Sequence, residues 1–380
     1  MEKIGIVTSA RELNYGAILQ AYALQRIISD FGFDSKLLWW SNQRNSHRDI
    51  RIRKLLAMFV TYVRNPGIMN KSVKAYGHTF EKSMTQNTIE LFEKFEKEFL
   101  NIEFLSYGQM KRFAAAEDCR SVIAGSDQIW NSYAIYVDPF YYLQFAPKNK
   151  RIAYAPSLGK NDIPDYNKQK IMRYVNEINH LSVREETGRI LLSEITDKKI
   201  EVVLDPSLLF DSGVWKTIEG KMNIPQEYIL LYFLDQPNTE CVNKIKEITQ
   251  KYDLPVLALP YEIPSFSGIE DIRYVDAGPA EFLSLIANAK LILTDSFHGT
   301  AFSINYNKTF LTFDRQYGNN QSQASRIVDL LRTFELTDHF ISGDISLQNI
   351  TIDYSPINHR LKQLREKSIR YLKDAIEDCK

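Results

Sequence analysis

A chain of 380 residues is too long for one ordinary hydrophobic core, so two domains are expected. Its 44% hydrophobic and 12% aromatic content are those of a soluble globular protein, and 47 Lys and Arg against 47 Asp and Glu leave no net charge to favour nucleic acid or acidic surfaces. The scattered Cys119, Cys241 and Cys379 lack metal spacing and suggest a reducing compartment. No signal-like segment opens the chain and no apolar run approaches the ~20 residues of a bilayer span, so a cytoplasmic protein is expected, at most peripheral on the inner face of a membrane.

Residues 3–8 (KIGIVT) read as a buried strand, followed by the loop ARELNYG and by GAILQAYALQRIISDFGF, where Ile18, Leu19, Tyr22, Leu24, Ile27 and Ile28 recur at helical spacing. DSKLLWW is the next strand, which makes a βαβ opening and a parallel sheet. Segment 44–82 differs: nine Lys and Arg against Asp49 and Glu81 surround LLAMFVTYV, an inserted helical segment with a basic face. SVIAGSDQIWN, RIAYAPSLG, HLSVREETGRILLSEI and IEVVLDPSLLF then each pair an apolar run with a polar loop or turn. The pattern loosens at 212–226 around Gly213, Gly220 and Pro225, and YILLYFLD begins a second α/β series that runs to a long C-terminal helix. The expected architecture is two open Rossmann-like α/β domains facing a cleft. The first is 1–215 with a helical insertion at about 44–100, the second 216–350, and 351–380 is the closing helix.

Ligands of open parallel sheets bind beyond the C-terminal strand ends. The polar loops fall there: Asn14-Tyr15-Gly16, Ser126-Asp127-Gln128 with Trp130, Arg184-Glu185, and Asp295 to Thr300. In TDSFHGT, Gly299 lets backbone approach a ligand, the helix starting near Thr300 offers free N–H groups, and His298 titrates near neutrality. Together these suit a phosphate-bearing substrate and proton transfer. Asp295, Ser296 and Thr300 can equally cap the helix. Arg184 can grip a carboxylate or phosphate, or simply pair with Glu185 or Glu186. Ser126, Asp127 and Gln128 beside Trp130 suit sugar hydroxyls, or form a capped turn over a core tryptophan. No G-x-G-x-x-G, P-loop, G-x-S-x-G or H-E-x-x-H occurs, and metal ligands at useful spacing are missing.

Taken in order, GIVTSARELNYGAILQAYALQ, VIAGSDQIWN, AYAPSLG, LSVREETG, VLDPSLLF, TDSFHGTAFSINYNKTFLTF and NNQSQASRIVDLL resemble the polysaccharide pyruvyl transferase family from residue 4 to about 331. The resemblance implies a fold like that of two-domain GT-B glycosyltransferases. It also implies a reaction in which phosphoenolpyruvate, a co-substrate rather than a cofactor, gives a pyruvyl ketal to two hydroxyls of a saccharide. It places a donor-binding arginine at Arg184 and the essential histidine at His298, which could protonate the enol methylene. The donor is then expected at Asp295, Ser296, Phe297, Gly299, Thr300 and Arg326, and the acceptor at Asn14, Tyr15, Gly16, Ser126, Asp127, Gln128 and Trp130. Family members often carry Arg-Leu-His where this chain has Ser296-Phe297-His298. Either Arg326 or Arg315 supplies the second cation, or this branch handles a different donor or acceptor. A nucleotide-sugar glycosyltransferase and a catalytically silent sugar-binding protein are the competing functions. Segment 44–82 is either a packed insertion with solvated lysines or a surface helix that meets an anionic membrane carrying a polyprenyl-linked acceptor.

Overall fold

Apolar runs without alternation are what a parallel sheet demands when helices cover both faces, and they build two such sheets here. The computed structural model describes residues 1–11, 13–40, 55–56, 59–60, 63, 84–235, 237–259, 266, 269, 271–315, 324–341 and 350–379. Seven strands form the first sheet: β1 (Lys3–Val7), β2 (Asp34–Trp40), β3 (Ile102–Leu105), β4 (Cys119–Ala124), β5 (Arg151–Ala153), β6 (His180–Val183) and β7 (Glu201–Val202). Their order is β3-β2-β1-β4-β5-β6-β7, and α1 (Tyr15–Asp30), α2 (Gln86–Phe99), α3 (Tyr107–Ala115), α4 (Asp165–Val175) and α5 (Glu186–Ser193) accompany them. The short α6 (Ser212–Lys216) precedes the second sheet.

That sheet has six strands, β8 (Ile229–Tyr232), β9 (Val256–Ala258), β10 (Ile272–Tyr274), β11 (Leu291–Thr294), β12 (Phe310–Phe313) and β13 (Phe340–Ile341), in the order β10-β9-β8-β11-β12-β13. Its helices are α7 (Thr239–Tyr252), α8 (Pro279–Asn288), α9 (Phe297–Asn305) and α10 (Ser325–Thr333). Among the described residues every strand pairing is parallel, and each sheet reverses its winding once: between β1 and β4 in the first, between β8 and β11 in the second. Those two reversal points are where an open sheet leaves a crevice for a ligand.

One continuous apolar core joins the halves, containing Ile4 and Leu19 of the first and Leu230, Phe282 and Phe302 of the second. Tyr15, at the mouth of α1, stacks on Phe282 with centroids 4.8 Å apart and meets Tyr232 edge-on at 5.6 Å. Its hydroxyl donates to the carbonyl of Ala277 at 3.0 Å. The closing helix α11 (Tyr354–Asp378) returns to the first sheet: Arg120 donates to the Ile376 carbonyl, Tyr371 to that of Ala153, and the Leu204 amide to Ser368 Oγ. An interface this apolar resists the hinge motion that looser domain pairs show by default.

Strand β3, helix α3 and strand β10 are absent from the expectations drawn above, because each is short and its apolar residues are mixed with Glu, Lys or Arg. The basic segment 44–82 lies outside the described residues apart from Leu55, Leu56, Phe59, Val60 and Val63, which are helical and exposed. Among the described residues, no helix is long and apolar enough to cross a membrane.

Candidate functional site

The two reversal points face each other, and a cavity of about 500 Å³ opens between them. From the first sheet it is lined by Ser9 and Asn14 of the β1–α1 loop and by the stretch after β4, from Asp127 through Trp130 to Tyr142. From the second come Leu234 after β8, Ser296, Phe297 and His298 after β11, and the arginines Arg315 and Arg326.

The α9 end of the site is built by local capping. Ser296 caps α9 by accepting from the Gly299 amide at 3.3 Å, and Thr294 Oγ1 accepts from the Ser296 amide at 3.0 Å while donating to the Tyr232 carbonyl. Asp295 turns away from the cavity. Its carboxylate accepts the Leu234 amide at 2.7 Å and the Asp235 amide at 3.0 Å, tying the β8 loop to the β11 loop, and lies 3.3 Å from Arg315 Nε. Burial first, against the Arg315 charge and the two amides, raises its affinity for a proton. Thr300 is spent on the Ser296 carbonyl and on Thr312 Oγ1. Gly299 packs against Thr294 and Tyr232, where a Cβ would come within 2.4 Å of Thr294 Oγ1. Of TDSFHGT, then, Ser296, Phe297 and His298 reach the cavity, and Asp295, Gly299 and Thr300 hold the loop.

His298 is wedged between the domains. Its Nδ1 edge lies on Gly16, so close that a Cβ there would sit 2.0 Å from the nitrogen. Its Nε2 has no hydrogen-bond partner and faces Asp205 Oδ1 at 3.7 Å. Burial pushes the imidazole below its usual value. Asp205 and Asp127 pull it part of the way back, and Arg184 and Arg326 push with burial. The ring is therefore neutral at pH 7.

Arg184 is placed differently from a ligand clamp. Its side chain has no exposed surface and lies behind Phe297, whose ring centroid is 4.1 Å from the guanidinium carbon. Nη1 donates to Asp205 Oδ2 at 2.8 Å, and Asp127 and Glu185 stand at 3.7 and 3.6 Å. Burial works against its charge, but Asp205, Asp127 and Glu185 outweigh it and raise its pKa. The cations that line the cavity are Arg315 and Arg326, from the second domain, beside Ser296. Burial and the like charges of Arg184 and Arg315 lower the Arg326 guanidinium to about 10, against weaker help from Asp127 and Glu185. Of the three arginines, Arg184 and Arg315 have a carboxylate within 4 Å, while Arg326 gains only part of its balance from Asp127 and Glu185.

The first-domain residues divide in the same way. Asn14 lines the cavity and caps α1 through the Ala17 amide at 3.1 Å, whereas Tyr15 and Gly16 belong to the domain contact. Ser126 is buried, donating to the Ala155 carbonyl at 2.7 Å and lying 2.8 Å from Asp205 Oδ2. Asp127 and Gln128 line the cavity, Asp127 in the left-handed region (φ 68°) that aspartate tolerates. Trp130 is buried against Tyr142, rings stacked at 4.8 Å, with its indole N–H given to the Tyr141 carbonyl. The aromatic residues better exposed at this end are Tyr136 and Tyr141.

Several members of the site carry no signal that sequence reading caught. Asp205 stands in a Leu-Asp-Pro turn and reads as a capping residue, a role it does fill towards Ser207. Glu185 reads as a partner for Arg184. It is also fixed by Ser157 Oγ at 2.8 Å and the Leu158 amide at 3.0 Å, which explains the Ser in AYAPSLG.

Among solved structures, the chain is similar to a putative UDP-N-acetylglucosamine 2-epimerase from Listeria monocytogenes, with a TM-score of 0.51, 12% identity, and coverage of 100% of this chain and 90% of that one. It is also similar to the UDP-GlcNAc 2-epimerase of Methanocaldococcus jannaschii, with a TM-score of 0.48, 15% identity and coverage of 96% and 92%. No curated protein matches it. With two facing parallel α/β sheets, the fold is GT-B-like, as the first of these likenesses shows. The model of one family, described as polysaccharide pyruvyl transferase, matches residues 14–317, a span that contains every strand contributing to the cavity except β1. The chain belongs to the polysaccharide pyruvyl transferase family.

Proposed function

We propose that this protein transfers the pyruvyl group of phosphoenolpyruvate to two hydroxyls of a saccharide, releasing phosphate, in the synthesis of a surface polysaccharide. The observation that carries the reading is the convergence of Arg315, Arg326 and the neutral His298 on one end of a cavity whose other end is aromatic and hydroxyl-rich. A donor with a phosphate and a carboxylate fits the first end. A pyranose, with an apolar ring face and a polar rim, fits Tyr136, Tyr141, Gln128 and Asp138 at the second.

The chemistry follows from that placement. The oxygen of the first hydroxyl bonds to C2 of the enol, and a proton reaches C3, which becomes a methyl group. The second hydroxyl then attacks C2 as the bond to the phosphate oxygen breaks, and its proton leaves with phosphate. An imidazole that enters neutral cannot begin as the acid. His298 takes the proton of the first hydroxyl and hands it to C3, so the addition needs no proton from solvent. Arg315 and Arg326 balance the charge that grows on the departing phosphate.

The sign of the pH dependence separates the two roles. A base whose folded value is lowered is fully competent above the ordinary histidine range near 6.5, and loses competence as pH falls below it. Turnover at saturating substrate is expected to hold level from pH 7 upward and to fall on the acid side. A fall with rising pH through neutrality would assign the acid role instead.

Gly16 gives a second expectation. A methyl group there must displace His298, so Gly16→Ala should lower turnover by ~10²-fold and also lower the melting temperature, since overpacking a buried contact costs ~1–3 kcal/mol. Calorimetric titration with phosphoenolpyruvate and, separately, UDP tests the proposal as a whole. Binding of the first alone is expected; binding of UDP alone would favour a nucleotide-sugar transferase.

A further inference from the structure

We infer that Asp205 is a positioning residue for this reaction: one buried carboxylate that fixes Arg184 in the first domain and receives the charge of His298 from the second. The inference rests on the proposed use of His298, but its first test does not.

The geometry is unusual for a turn aspartate. The side chain has no exposed surface, and both oxygens are engaged. Oδ2 accepts from Arg184 Nη1 at 2.8 Å and lies 2.8 Å from Ser126 Oγ, whose single proton is shared with the Ala155 carbonyl. Oδ1 accepts from the Ser207 amide at 3.0 Å and from Ser207 Oγ at 2.7 Å. Contacts from three loops hold the carboxylate in this orientation. Facing it from across the domain contact is His298 Nε2, at 3.7 Å and without a hydrogen bond of its own.

An aspartate needed only to cap Ser207 would not have to sit between a buried arginine and a buried histidine. Burial alone would raise its pKa, yet His298, Arg184 and the Ser207 bonds hold it at about 2, so it stays charged throughout the working range. The other charged groups facing His298 are Asp127 after β4, Arg184 after β6 and Arg326 of α10, and α1 presents only the Gly16 backbone. The two arginines oppose an imidazolium, and Asp127 already stands 3.7 Å from Arg184. Asp205 lies within 4 Å of both His298 and Arg184, and so is the group best placed to stabilise the proton that His298 carries between hydroxyl and C3. Arg184, in turn, keeps that carboxylate from being neutralised when His298 is unprotonated.

The test is an NMR titration of the His298 ring in the full-length protein without substrate, comparing wild type with Asp205→Asn. The isosteric amide keeps the shape and removes the charge. The midpoint is expected to fall by at least ~1 pH unit, as for loss of an opposite charge within 4–6 Å. The acid limb of turnover should move the same way, with kcat reduced at least ~10-fold and KM for phosphoenolpyruvate within about threefold. Ser207→Ala provides the second variant, and it serves if Asp205→Asn does not fold. It frees Oδ1 from its hydroxyl donor while keeping the charge, and should raise the His298 midpoint. An unchanged midpoint in whichever of these variants folds would overturn the inference and leave Asp205 a structural residue. If wild type forms no ketal while the midpoints shift as stated, the proposed reaction fails and the electrostatic coupling stands.

Discussion

His298→Ala is expected to lower ketal formation by ~10²–10⁴-fold, the range that a positioned proton-transfer group supplies. Binding of phosphoenolpyruvate should change little. The ring is neutral in the resting site, so it offers the donor no charge, and the cations lining the cavity are Arg315 and Arg326. Its position is over-determined for proton transfer, with Gly16 against Nδ1 and Asp205 opposite an Nε2 that has no hydrogen-bond partner. His298→Gln separates proton transfer from packing. It fills similar space and can hydrogen-bond to a hydroxyl, but it cannot carry a proton, so it should be nearly as impaired as the alanine variant. Rates of methyl-group appearance, followed by proton NMR with phosphoenolpyruvate and a saccharide acceptor, give the comparison. Activity within a few fold of wild type in both variants would remove His298 from the chemistry.

The position of the site along the chain was readable because an open parallel sheet fixes where its functional loops must lie. Asn14, Asp127, Arg184 and His298 each follow an apolar run, and each was assignable to the C-terminal edge before any contact was known. Direction within those loops was not readable. Arg184 looks like a ligand clamp until Phe297, from the other domain, is seen lying over it. Tyr15 and Gly16 look like a phosphate-binding helix mouth until α8 and α9 are packed against them. Trp130 suggests a sugar platform, and only the fold reveals Tyr142 stacked on it. Each of these outcomes depends on a partner remote in sequence, and periodicity carries no information about such partners. Asp205 illustrates a further limit. The same residue caps a turn and lies between Arg184 and His298, and only the first role leaves a local signature.

Ser296, standing where the family resemblance leads one to expect arginine, leaves the charge of the donor to other groups. Arg326→Met should weaken phosphoenolpyruvate binding by ~10–10²-fold, from ~1.5–3 kcal/mol for a lost charge-assisted hydrogen bond and 1.4 kcal/mol per tenfold. The same change should leave the unliganded protein no less stable. Arg326 is buried close enough to Arg184 and Arg315 for burial and their charges to lower it to about 10, against weaker help from Asp127 and Glu185. Replacing a strained buried charge with an apolar side chain of similar volume is often neutral or stabilising. The two effects have opposite signs, which makes the prediction hard to satisfy by general damage. A thermal scan should show an unliganded midpoint equal to or above that of wild type, with the rise produced by phosphoenolpyruvate largely lost. Arg315→Met should weaken binding as well but lower the unliganded midpoint, because Arg315 is paired with the buried Asp295, whose charge would then be left without it. The double variant should bind more weakly than either single one, but by less than the product of the two losses, since both guanidiniums act on one anion. If Arg326→Met binds phosphoenolpyruvate as wild type does, the donor lies elsewhere in the cavity and the cationic end has another occupant.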